Sequence, residues 1–147
     1  MAKNLTGVIY LIRKTEYVCV FLLGGTVYGV LEMLWRGFTH WSMVFAGGVC
    51  FLLIHLMNLG APGLKTIVKC AIGSVIITAV EFFTGVIVNI VLGLDVWDYS
   101  ALPLNLLGQV CPQFMILWLL LTYPACCLSG LIRKLFTKLS ERERMVA

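Results

Sequence analysis

Four long apolar stretches joined by short loops constrain this chain more than any other feature. They run roughly over residues 17–34, 42–59, 66–92 and 112–132. A helix needs about 20 apolar residues to cross a hydrocarbon core of about 30 Å, and each stretch meets or nearly meets that length. Lipid offers no partner to an unpaired peptide group, so each crossing segment must be helical. The sequence therefore predicts an all-α membrane protein, a four-helix transmembrane bundle followed by an amphipathic basic C-terminal helix. Charged residues make up 12% of the 147 positions, against roughly 25% in a soluble domain. That deficit excludes an ordinary soluble fold and leaves room for one compact membrane domain.

The placement of charge predicts the topology. Basic residues gather at the N-terminus (Lys3, Arg13, Lys14), in the second loop (Lys65, Lys69) and at the C-terminus (Arg133, Lys134, Lys138, Arg142, Arg144). The third loop carries Asp95 and Asp98 and no basic residue. Cytoplasmic loops hold the excess of Lys and Arg, so the chain is expected in the cell membrane, multi-pass, with both termini cytoplasmic; Arg36 is the one contrary cation. Basic clusters beside apolar spans point to the lipid bilayer as partner rather than to nucleic acid. No cleavage site follows the first apolar run, which reads as a retained span.

The predicted organisation has three parts: a basic interfacial N-terminal segment over 1–16, a four-span membrane domain over 17–132, and a basic cytoplasmic tail over 133–147. Leu5, Val8, Ile9 and Ile12 would share one helix face and could lay that helix on the membrane surface. Leu131, Ile132, Leu135, Phe136 and Leu139 form a similar stripe in the tail, flanked by cations. Residues 103–111 are too short to cross, and are expected as a short interfacial helix or a re-entrant piece. Pro112 is expected to separate them from span four, and Pro124 to kink that span.

Candidate functional residues are the polar ones in apolar surroundings. Glu81 stands in the middle of span three. A carboxylate there costs several kcal/mol unless it finds a partner, water or a proton. Asn89 lies eight residues on, with Gly85 between, so all three share a helix face. Glu81 and Asn89 read either as a substrate or ion pathway or as hydrogen-bonding glue between helices. Glu32, near the far end of span one, either pairs with Arg36 four residues later or lines a vestibule with the third loop. Trp97, Asp98, Tyr99, Asn105 and Gln109, with His40 and Trp41 on the same side, form a candidate outer polar cluster. Its plainer reading is an ordered loop anchored by interfacial aromatics. A helix through 105–109 would set Asn105 and Gln109 on one face. His55 is expected to bond a neighbouring helix.

Soluble-enzyme signatures are missing from the sequence. It holds no G-x-x-x-x-G-K-[ST], no G-x-G-x-x-G and no H-E-x-x-H. The six cysteines form no C-x-x-C pair, which argues against a zinc site. We therefore expect no catalytic residue, no metal, no cofactor and no enzymatic activity.

Several runs carry a resemblance. Residues 38–43 (FTHWSM), the stretch from Glu81 to Gly85 with Asn89, residues 96–100 (VWDYS) and residues 102–111 (LPLNLLGQVC) resemble a family of small bacterial membrane proteins. That family is the ABC-transporter permease family called CmpB-like or type IV, which is similar to animal transmembrane protein 229. The likeness covers roughly residues 20–125. It implies a permease-like subunit of a transport system, for which the expected partners are an ATPase on a separate chain and further copies in a homo-oligomer. It supplies no catalytic or binding residues. The alternative is a non-transporting membrane interaction or scaffold protein.

Overall fold

The structure, a computed structural model, describes residues 2–146, with side chains over 5–145. It consists of four helices, α1 (Ala2–Arg36), α2 (Trp41–Gly60), α3 (Thr66–Gly85) and α4 (Pro112–Val146), with a π-helical continuation of α3 over Val86–Val91. All four, α3 together with its continuation, are long and apolar enough to cross a membrane. Among the described residues the β structure amounts to one isolated bridge, Leu106 to Val110. The expected all-α four-helix bundle is therefore the observed architecture. With four helices in chain order, both end stretches lie on one face of the bundle, here the terminal face. The α1–α2 and α3–α4 connections lie on the other, the loop face.

Local chemistry sets the boundaries. Gly37 ends α1 at φ +77°, its N–H bonded to the Met33 carbonyl at 3.0 Å, the left-handed stop that glycine adopts without a Cβ penalty. His40 caps α2 in an extended conformation, its ring accepting from the Ser42 N–H at 3.4 Å. Pro62 follows the end of α2. Pro112 opens α4, a position where its missing N–H costs nothing.

The terminal helices are longer than the spans they contain. Each has 35 residues, about 52 Å at 1.5 Å per residue. The basic N-terminal segment is helical, as its periodicity predicts, and runs unbroken into span one. The basic tail is likewise a continuation of α4 rather than a separate helix. Pro124 lies inside α4 without ending it, and the sequence beyond it is rich in Leu, Lys, Arg and Glu, which propagate a helix well.

Small residues draw the helices together. A Cβ on Gly24 would collide with Phe51, and one on Gly47 with Tyr28, so α1 and α2 meet at backbone distance. Gly73 does the same for α3 against Thr122 of α4. Close backbone approach of this kind drives helix association in lipid, where hydrophobicity gives no preference for a neighbour. Two buried clusters result. Cys50, Ile54, Ile77 and Trp118 fill the middle of the bundle, and Met43, Val88, Val96 and Trp97 fill its loop-face end.

Candidate functional site

Residues 96–111 form one irregular segment, and its 103–111 part is not the short helix that one reading expected. They fold into turns, with Leu104 at φ 59°, Leu107 at φ 53° and Gly108 at φ 70°. Asn105 organises them: its amide donates to the carbonyls of Ser100 (3.1 Å) and Leu102 (2.8 Å), and its oxygen accepts from the Gly108 N–H at 2.9 Å. Asn105 and Gln109 consequently share no helix face. The segment packs back into the protein, with Trp97, Gln109, Val110 and Cys111 buried. It is a plug set into the loop-face end of the bundle.

Asn89 fastens the plug to the π-helical end of span three. Its Nδ2 donates to the Trp97 carbonyl (2.9 Å) and to Gln109 Oε1 (2.8 Å), and its Oδ1 accepts from the Val96 N–H at 2.7 Å. Trp97 Nε1 donates to the Gln109 carbonyl at 3.0 Å, and Gln109 Nε2 to the Leu107 carbonyl at 2.9 Å. Gly85 is required beneath them, because a Cβ there would strike Gln109 and Trp97. A π-helical turn is uncommon and often marks a functional position.

Glu81 lies one turn deeper than Gly85, 4% exposed. Tyr99 of the plug donates its hydroxyl to Oε1 at 3.1 Å, and Trp118 of α4 donates its indole N–H to Oε2 at 2.8 Å. The Tyr99 ring stacks on Phe114 at 4.4 Å between centroids, and Phe114 leans on Trp118 at 6.1 Å. Aromatic rings therefore enclose the carboxylate on the plug and α4 sides. Burial pushes the Tyr99 phenol above its ordinary range.

The remaining candidates divide. Glu32 gives one oxygen to Arg36 at 2.8 Å and the other to Thr39 at 3.0 Å. Arg36 also donates to the Val96 carbonyl at 2.9 Å, so the local pair braces the plug from α1. Asp98 is exposed and accepts from the Ser100 N–H at 2.8 Å. Hydrogen bonds from the Ser100 side chain and backbone hold its carboxyl below the ordinary 3.8. Trp97, Asp98, Tyr99, Asn105 and Gln109 are thus brought together. His40 and Trp41 are not part of that group: His40 bonds Ser42 at 2.8 Å as a helix cap, and Trp41 is 66% exposed beside it.

A second buried polar group lies toward the terminal face. His55 Nδ1 stands 2.9 Å from Ser129 Oγ, and its Nε2 lies 3.3 Å from Glu16 Oε1 without a well-directed hydrogen bond. Arg133 Nη1 donates to Glu16 Oε2 at 2.9 Å. Glu16, His55 and Ser129 are fully buried, so α1, α2 and α4 meet on a carboxylate, an imidazole and a hydroxyl. The expected helix contact of His55 is present. Sequence reasoning missed Glu16, leaving it within the basic N-terminal segment, and it missed Trp118 and Ser129. The signals were there: Glu16, Val20, Gly24 and Tyr28 recur every four residues, and an indole in mid-span needs an acceptor.

Among the described residues no group of three His, Cys, Asp or Glu side chains is placed to hold a metal. No curated protein and no solved structure matches the chain. A family model does, over residues 26–146, which takes in the plug, Glu81, Asn89, His55 and Arg133 but stops short of Glu16. With most of its length so matched, the chain belongs to the family described as Putative ABC-transporter type IV.

Proposed function

We propose that the chain is a permease-like membrane subunit of an ABC-type transport system, set in the cell membrane with both termini cytoplasmic. Glu81 is the observation that carries this reading. It is a mid-span carboxylate, costly in lipid, and it grips the plug through Tyr99. The position of the plug therefore depends on the state of one buried acid. Glu81 and Asn89 mark the pathway, and residues 96–111 close it on the loop face until those bonds release. ATP binding falls to a separate chain, because the sequence carries no phosphate-binding loop. Four spans make a narrow path, so a second copy of the chain completes it.

The test begins with affinity purification of the tagged chain from its native membranes, with partners quantified by mass spectrometry. An ATPase subunit in fixed ratio supports the proposal, and its consistent absence sinks the ABC form. In the purified complex, Glu81→Gln should leave assembly and melting temperature near the parent values while chain-dependent ATP hydrolysis is lost. A second reading, a membrane scaffold without transport, is favoured by one observation: both oxygens of Glu81 and the whole amide of Asn89 are satisfied inside the chain. Collapse of the fold in Glu81→Gln would support that reading.

A further inference from the structure

An apolar groove of about 200 Å³ lies between α1 and α4, over a floor contributed by α2. Leu23 and Val27 form one wall, Leu121 and Leu128 the other, Ile54 lies in the floor, and Trp118 closes the end nearer the loop face. Leu23 and Val27 are exposed, so the groove opens sideways from the bundle at a depth where the surroundings are hydrocarbon. An apolar cavity of this kind gives water no partners and stays dry. What fits is an alkyl chain.

The foot of the groove selects the headgroup. From Trp118 to Leu128 the groove follows α4 for about 15 Å, and Arg133 lies about 8 Å beyond Leu128, at 1.5 Å per residue. At that level Arg13 is exposed, on the same side of α1 as Val27. Arg133, although bound to Glu16, keeps 39% of its side chain in the open. The acid at this level, Glu16, is buried and already paired. The distance from Arg133 to Trp118, about 23 Å along the helix, is that of an ordinary long acyl chain.

We propose that this groove binds one acyl chain of an anionic phospholipid from the leaflet on the terminal face, its phosphate held by Arg13 and Arg133. Basic residues at the foot of a span attract anionic lipid, and the groove adds a fixed seat for the tail. The site stands apart from the transport reading and survives its failure, since it uses neither Glu81 nor the plug.

Trp118 is the natural reporter, being buried against ordinary surrounding lipid yet lining the groove. A Trp35→Phe/Trp41→Phe protein, which removes the two exposed indoles, is placed in phosphatidylcholine vesicles containing a few mole per cent of lipid brominated near the chain end. Brominated phosphatidylglycerol should quench the fluorescence at least threefold more than brominated phosphatidylcholine. Val27→Phe, which fills the groove, should abolish that difference, and Arg13→Gln should reduce it. Equal quenching by the two lipids, or quenching indifferent to Val27→Phe, overturns the proposal. Native mass spectrometry of the unaltered chain gives a second measurement, independent of how the variants fold. One retained phosphatidylglycerol per chain is expected, and release of all lipid under conditions that keep the fold overturns the site.

Discussion

Trp118 Nε1 stands 2.8 Å from Glu81 Oε2 across the α3–α4 interface, so the acid buried in span three is held by an indole from span four. Replacing Trp118 by Phe keeps a ring in place and removes the donor. An unpaired buried acceptor costs about 1–3 kcal/mol, and the melting temperature in detergent should fall accordingly. The double variant Trp118→Phe/Glu81→Gln should lose less than the sum of the two single changes. Strict additivity would mean that the bond contributes nothing.

Asn89 uses its whole amide to hold the plug, so Asn89→Leu should free residues 96–111 while the helices stay assembled. Cys111, 2% exposed, reports this. Its maleimide labelling, resolved from the other cysteines by peptide mass spectrometry, should rise at least tenfold. Unchanged labelling would show that Tyr99 and Arg36 hold the plug without Asn89.

The plug also responds to acid. The carboxyl of Asp98 is held below its ordinary 3.8 by Ser100. A group whose pKa is lowered by folding contributes stability above the unfolded value and loses it as the pH falls through the folded value. Proteolytic nicking of residues 96–105 should therefore increase below about pH 4, and Asp98→Ala should show the faster nicking already at neutral pH. The group is exposed and the effect on global unfolding small.

Much of this was legible in the sequence, for physical reasons. Apolar length alone dictates the four spans, and the cost of a charge in lipid singles out Glu81 before any contact is known. The i, i+4 order of Glu32 and Arg36 correctly points to a local pair. What was hidden depends on tertiary placement. The turns around Leu104 and Leu107 carry positive φ in residues that rarely adopt it, so propensity favoured a helix through Asn105 and Gln109. His40 and Trp41 share a face with the plug, but the cap at Ser42 claims His40. Glu16 sits beside Arg13 and Lys14 in sequence, which masks the four-residue spacing it shares with Val20 and Gly24, and its partners on α2 and α4 come from tertiary packing.

The terminal-face cluster yields a coupling test. Arg133→Gln leaves the Glu16 carboxylate buried without its cation. Breaking a buried pair costs several kcal/mol, and the partial exposure of Arg133 discounts that to about 1–3 kcal/mol. Glu16→Gln/Arg133→Gln should recover a measurable part of the loss in a thermal double-mutant cycle. A double variant as unstable as the sum would show that the two residues act independently.

The glycine seam makes a geometric prediction. Gly24→Ala places a methyl against Phe51, and overpacking of this kind costs about 1–3 kcal/mol. Gly7→Ala, on the same helix with nothing within 4 Å, should be neutral or stabilising by up to about 1 kcal/mol through helix propensity. Equal melting temperatures for the two variants would dissolve the seam as an explanation for how α1 and α2 pair.

The excess length of α1 and α4 has a mechanical meaning. A hydrocarbon core of about 30 Å swallows little more than half of either rod, and both surplus ends emerge beside each other on one side. Glu16 and Arg133 tie them together near the point of emergence, like a pivot. Anything that grasps the protruding pair can swing it, and because each rod runs unbroken to the opposite rim, a push on the handle is delivered to Arg36 at the tip of one and to Trp118 along the other.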